Sequence, residues 1–132
     1  MILVDTSSWI HFLRPDGDGD VRARVESALR AGTARGCPLV RLELWNGAGG
    51  ERERKVLREF ERVIPELAID DAVWSGARDL AHRCRAAGVT VPATDILIAA
   101  CARRNGAEVE HADGDFDAIV RVLARAAPTS PA

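Results

Sequence analysis

The sequence predicts an α/β domain with a central, mainly parallel β-sheet flanked by helices, and three observations predict it. The chain opens on "MILVD", four apolar residues closed by an acid, which reads as a strand buried on both faces. Its longer segments follow the helical period, with short strand-like runs between them. Strands separated by helices need crossover connections, and crossovers make neighbouring strands parallel. A length of 132 residues, 47% of them hydrophobic, fits a single domain with its own core.

After the first strand, a helix is expected from Ser7 to Leu13 with Thr6 as its N-cap, because a hydroxyl there satisfies a free backbone N–H. "RPDGDGD" breaks that helix and leads into a second one near Val21 to Arg30, stopped by Gly32. "LVRLELWNG" supports a helix that carries Glu43 and closes at Asn46-Gly47, although its apolar residues fit a strand equally well. The charged stretch Glu51 to Arg62 reads as helix, Leu67 to Ile69 as a short strand, and Asp71 to Ala87 as a long helix ending at Gly88. In "VTVPATDILIAACARRNG", Pro92 precedes a helix, Thr94 is its expected N-cap and Gly106 its stop. "AEVEHAD" alternates as a strand should, and "DFDAIVRVL" resumes a helical period. The domain is expected over residues 1–124. Residues 125–132, "RAAPTSPA", read as a flexible tail, being small, proline-containing and without an apolar period.

Composition excludes several classes. The three cysteines, Cys37, Cys84 and Cys101, are odd in number and lack any CxxC or Cys/His spacing, which argues against both a disulfide framework and a zinc site. A reducing, cytoplasmic setting is expected. "MILV" meets Asp5 without a basic n-region or a cleavage site, so neither a signal peptide nor a membrane span is expected there. A net charge of -2 lacks the strongly basic footprint of a typical nucleic-acid-binding domain. The 18 basic residues, all arginine but Lys55, decorate helical segments, where a solvated surface accounts for each one singly. A subset lining a phosphate groove is the functional reading, because arginine presents a rigid donor fork to phosphate oxygens.

Two stretches share an acidic rhythm, "DGDGD" (Asp16 to Asp20) and "HADGDFDAI" (His111 to Ile119). A calcium loop needs glycine at its sixth position and a bidentate acid at its twelfth. Counted from Asp16 those positions hold Val21 and Ser27, and counted from Asp113 they hold Ala118 and Ala124, so neither stretch qualifies. The first stretch reads as a turn that places Asp20 near the positive end of the next helix. Asp113 differs, because it follows a predicted strand as Asp5 does, and in a parallel sheet both emerge at the same edge. Asp95 opens an apolar helix, and Glu43 lies on the "LELWNG" element. Taken singly, each of these acids has a structural explanation as a cap, a dipole partner or a surface charge. Converging without basic partners, they repel one another unless a divalent cation takes up the charge. Oxygen ligands of this kind suit Mg²⁺ or Mn²⁺, whose natural chemistry is phosphoryl transfer.

"MILVDTSSWI", "LELWNG", "ATDILIAACA" and "HADGDFDAI", in this order and at these intervals, resemble the PIN-domain nucleases, and the small size resembles the VapC toxins of bacterial toxin–antitoxin pairs. The likeness runs from Met1 to about Leu123. It implies a PIN-like fold and a Mg²⁺-dependent endoribonuclease, with Mn²⁺ as the other candidate ion. Carried onto this chain, the four catalytic acids fall on Asp5, Glu43, Asp95 and Asp113. Asp115 matches a further acid that binds metal directly or through water, and Thr6 matches a hydroxyl that supports the site. Asp5 and Asp95 are expected as the main direct ligands, Asp113 as ligand or water-orienting group, and Glu43 as ligand or proton acceptor. Trp45 stands where a smaller aliphatic residue is usual, and His111 where hydroxyl or apolar residues are common. The resemblance also implies an RNA substrate, with tRNA among the candidates, a VapB-type antitoxin whose arginine reaches the carboxylates, and a homodimer.

Rival classes meet specific residues that disfavour them. A phosphatase of the haloacid dehalogenase type needs an Asp two places after its nucleophile, and Ser7 stands there. A receiver domain needs a late lysine, and the only lysine is Lys55. An inactive PIN-like scaffold is expected to have lost carboxylates, and none is missing. His11, His82 and His111 share no spacing with a nucleophile and read as packing or surface residues. Trp9, Trp45 and Trp74 read as core or dimer contacts, with base stacking left open for Trp45, which lies close to Glu43.

Overall fold

The computed structural model describes residues 1–125. Strand β1 (Ile2–Val4) lies between β2 (Ala34–Arg35) and β3 (Glu108–Glu110), and both pairings are parallel. Leu3 and Val4 point to opposite faces of the sheet and both are completely buried, so helices cover the two faces. This is the α/β arrangement that the sequence predicts. The helices are α1 (Thr6–Leu13), α2 (Gly19–Arg30), α3 (Pro38–Gly47), α4 (Glu51–Val63), α5 (Asp71–Ala86), α6 (Ala93–Arg104) and α7 (Gly114–Arg125). The tail from residue 126 onward lies outside the described residues.

Helix α6 forms the centre of the molecule. Every residue from Asp95 to Ala102 is buried, and a helix apolar all round is stable only inside a core. Its small residues Ala99, Ala100 and Ala102 allow close approach of α5, α7 and β3, which all pack against it. The ambiguous segment around Glu43 is a helix, because Pro38 at its first turn has a preset φ and no N–H to waste. Trp9 is buried, with its ring 4.9 Å from that of Phe60 and 5.9 Å from that of Phe12. Trp74 is half exposed, and Trp45 donates its Nε1–H to Glu61. All three cysteines are free and buried.

Three local expectations are corrected. Asp5, not Thr6, is the N-cap of α1, and its carboxylate accepts the N–H of Ser7. Thr94 lies inside α6, which begins at Ala93 behind Pro92, so no side chain caps that end. Residues 67–69 form no strand; among the described residues the only pairing nearby is a single parallel bridge between Gly36 and Glu66. The first acidic stretch is a turn: Asp18 caps α2 by accepting from the N–H groups of Asp20 and Val21, with Asp20 in the first helical turn. Gly17 is obligatory there, because a Cβ would fall 1.9 Å from the carbonyl oxygen of His11.

Candidate active site

The parallel sheet brings the carboxyl ends of β1 and β3 side by side. The N–H of Asp5 donates to the carbonyl of Glu110 at 2.9 Å, so the residue leaving β1 is stitched to the last residue of β3. Asp5 is 4% exposed. Its Oδ2 accepts both the N–H of Ser7 at 3.0 Å and the Oγ–H of Ser7 at 2.6 Å. The same Ser7 oxygen accepts the N–H of Ala112 at 3.0 Å, which ties Asp5 to the loop that carries Asp113.

Asp95, Asp113 and Asp115 converge, each offering an oxygen within 4.8 Å of the others. Asp113 and Asp115 are half-buried, and Asp113 Oδ1 accepts the N–H of Asp115 at 2.9 Å, which turns the chain into α7. Asp95 is 8% exposed, and its Oδ2 is buried without any hydrogen-bond partner. Its carboxyl is pushed up to about 7, first by burial, then by the charges of Asp113, Asp5 and Asp115, and by a hydrogen bond to Asp113. Among the described residues no Lys, Arg or His pairs with any of the three. An orphaned buried oxygen beside two further carboxylates is the donor set that a hard divalent cation fits.

Glu43 stands next to this group. It projects from α3, and Thr6 Oγ1 donates to its Oε1 at 2.9 Å. Burial raises the Glu43 carboxyl above its ordinary value, the Thr6 hydrogen bond opposes that, and the charge of Asp5 adds to it. Asp5 therefore lies within electrostatic reach of both Glu43 and Asp95, linking the two halves of the acidic surface.

A family model for the PIN domain matches residues 2–122. The chain belongs to the PIN domain family. It is 35% identical over 125 residues to a VapC ribonuclease of Mycobacterium bovis, across 92% of this chain and 93% of the relative. Its fold is similar to that of VapBC-1 from nontypeable Haemophilus influenzae, with a TM-score of 0.70 and 18% identity over 92% of this chain and 94% of that one. It is also similar to Mycobacterium tuberculosis VapC20, a sarcin-ricin loop cleaving toxin, with a TM-score of 0.68 and 23% identity over 89% of this chain and 94% of that one.

Within this PIN domain the six residues singled out from sequence fall into two groups. Asp95, Asp113 and Asp115 form the close cluster, whereas Glu43 and Thr6 form a separate hydrogen-bonded pair with Asp5 between. Asp117 is exposed on α7 beside His111, whose Nε2 lies 3.5 Å away, and takes no part in the cluster. The two adjacent serines were not among the site residues read from sequence. A hydroxyl two places after a strand-end aspartate is the pattern of a local side-chain turn, which is the signal that points to Ser7.

Proposed function

We propose that this PIN domain is a metal-dependent endoribonuclease and the toxin of a VapBC-type pair. Its catalytic acids are Asp5, Glu43, Asp95 and Asp113, with Asp115 as a further metal ligand and Thr6 in support. The observation that carries the reading is Asp95, a buried carboxyl with one unpartnered oxygen and two carboxylates beside it. Names of relatives support the reaction class: one is a ribonuclease and another a toxin that cleaves the sarcin-ricin loop.

Asp95, Asp113 and Asp115 would hold Mg²⁺ or Mn²⁺, with Asp5 facing the same group. Such an ion, when bound, acidifies a water and neutralises charge on the scissile phosphate. The chain's own residues do the rest. Asp95 is the residue whose neutral form is favoured without an ion, by burial first and then by the charges of Asp113, Asp5 and Asp115, so it would hold the ion as the deprotonated carboxylate. Glu43, with a carboxyl raised by burial, accepts the proton of the attacking water more readily than an ordinary glutamate. Thr6 holds Glu43 by its Oε1, and Ser7 fixes the rotation of the Asp5 carboxylate. Without a cation, the clustered acids repel RNA phosphates, so substrate and ion are expected to bind together.

The partners proposed are RNA, a VapB-type antitoxin and a second copy of this chain. A guanidinium from the antitoxin can take the place of the cation's charge among the carboxylates and block RNA. The sheet edge and site are expected to work in the cytoplasm, and no described helix is long and apolar enough to cross a membrane. The test is RNA cleavage by the purified chain with Mg²⁺ or Mn²⁺ against the Asp5→Asn variant. Cleavage that survives in a folded Asp5→Asn protein would sink the assignment.

A further inference from the structure

Glu110 ends β3 three residues before Asp113, and it engages its surroundings through backbone and side chain together. Its carbonyl accepts the N–H of Asp5. Its Oε2 accepts the Oγ–H of Ser8 at 2.6 Å, and its Oε1 pairs with Nε of Arg24 at 2.6 Å. Ser8 is fully buried in α1, the Glu110 side chain is 10% exposed, and the Arg24 side chain reaches in from α2 with 51% exposure. One carboxylate thus ties α1, α2 and β3 together at the edge that carries Asp5, Asp113 and Asp115.

Packing alone does not call for this arrangement. An apolar residue at a strand end can fill the space without the cost of desolvating a carboxylate that is only 10% exposed. What the carboxylate supplies is direction. Two short hydrogen bonds at different oxygens fix where the end of β3 sits, one relative to α1 through Ser8 and one relative to α2 through Arg24. Ser7, one residue earlier, fixes the following loop to Asp5 in the same way. Arg24 also compensates the Glu110 charge, so the acids above it do not face a further unpaired carboxylate.

We propose that Glu110, held by Ser8 and Arg24, is a positioning residue that sets the spacing between Asp5 and the Asp113–Asp115 pair for a divalent cation. The proposal rests on the reading that these acids hold such an ion.

The test is Mn²⁺ titration of the metal-free full chain by electron paramagnetic resonance. Wild type, Ser8→Ala, Glu110→Leu and the double variant are compared, with thermal melting of each without metal. Each single variant is expected to bind Mn²⁺ about 10-fold more weakly, the scale of losses seen when groups that orient ligands are removed. The double variant is expected to bind no more weakly than the worse single one, because the pair acts as a unit. Unchanged affinity in folded Ser8→Ala with a loss only in Glu110→Leu would overturn the proposal, since it would show that charge and not geometry matters. If Ser8→Ala does not fold, Glu110→Gln replaces it: Gln keeps an acceptor for Ser8, so affinity close to wild type is expected, and a loss as large as that of Glu110→Leu overturns the proposal. Wild-type protein that binds no Mn²⁺ overturns the metal reading itself, which keeps the two failures distinct.

Discussion

Replacing Asp95 by Asn separates what this residue does for folding from what it does for the site. In the metal-free protein its carboxyl is pushed up to about 7 from an ordinary 3.8. A folded pKa above the unfolded one means that the folded state binds the proton more tightly. The stability is then complete below about pH 4, falls as pH rises from there to about 7, and is flat above. The three-unit gap corresponds to on the order of 4 kcal/mol, an upper value because counter-ions screen the half-buried neighbours Asp113 and Asp115. Asn is nearly isosteric, never ionises, and can donate to Asp113 as protonated Asp95 does. Asp95→Asn is therefore expected to be more stable than wild type at pH 8 without metal, with roughly 2–4 kcal/mol and a gain of about 7–14 °C in Tm. The advantage should shrink by roughly 2–3 kcal/mol between pH 8 and pH 5. Added Mn²⁺ should raise the Tm of wild type and leave that of the variant unchanged. Chemical denaturation at both pH values and melting with and without Mn²⁺ read these effects. A variant less stable than wild type at pH 8, or an advantage independent of pH, would refute the argument that the acids are held together at the expense of folding.

Three further outcomes follow from the geometry. Thr6→Val removes the hydrogen bond that opposes the rise of the Glu43 carboxyl, so the acidic limb of the cleavage rate should move to higher pH; a pH–rate profile identical to wild type would remove Glu43 from proton transfer. Ile98→Ala, at a completely buried position in the middle of α6, should cost about 2–5 kcal/mol in denaturant unfolding. Asp18→Ala should lower the Tm through loss of the α2 cap while cleavage stays at the wild-type rate, because the "DGDGD" turn is structural; reduced cleavage by a folded variant would contradict that.

The parts of the fold and site that were legible in the sequence are those that a short window can specify. "MILVD" fixes a buried strand and an acid at its end, and the apolar body of α6 with Gly106 after it fixes a core helix. Capping is hard to read where one residue has two duties: Asp5 both follows β1 directly and caps α1, so Thr6 is left free for Glu43. At α6 the proline itself stands at the cap, which puts Asp95 in the first turn, near the positive end of the helix. The strand expected at residues 67–69 does not form because its backbone meets the sheet through the Gly36 contacts with Pro65 and Leu67 alone. The long-range contacts of Ser7 and Ser8 were out of reach for a different reason. Their partners, Ala112 and Glu110, lie 105 and 102 residues away, and two neighbouring hydroxyls look alike until the sheet decides which faces the loop and which the strand.

The most direct test of the account is the mapping of cleavage sites on total RNA, with Mg²⁺ or Mn²⁺ present or chelated, for the intact chain and for Asp95→Asn. The account predicts discrete new RNA ends only with the intact chain and only with metal. The same ends from Asp95→Asn, or from the intact chain after chelation, would contradict it.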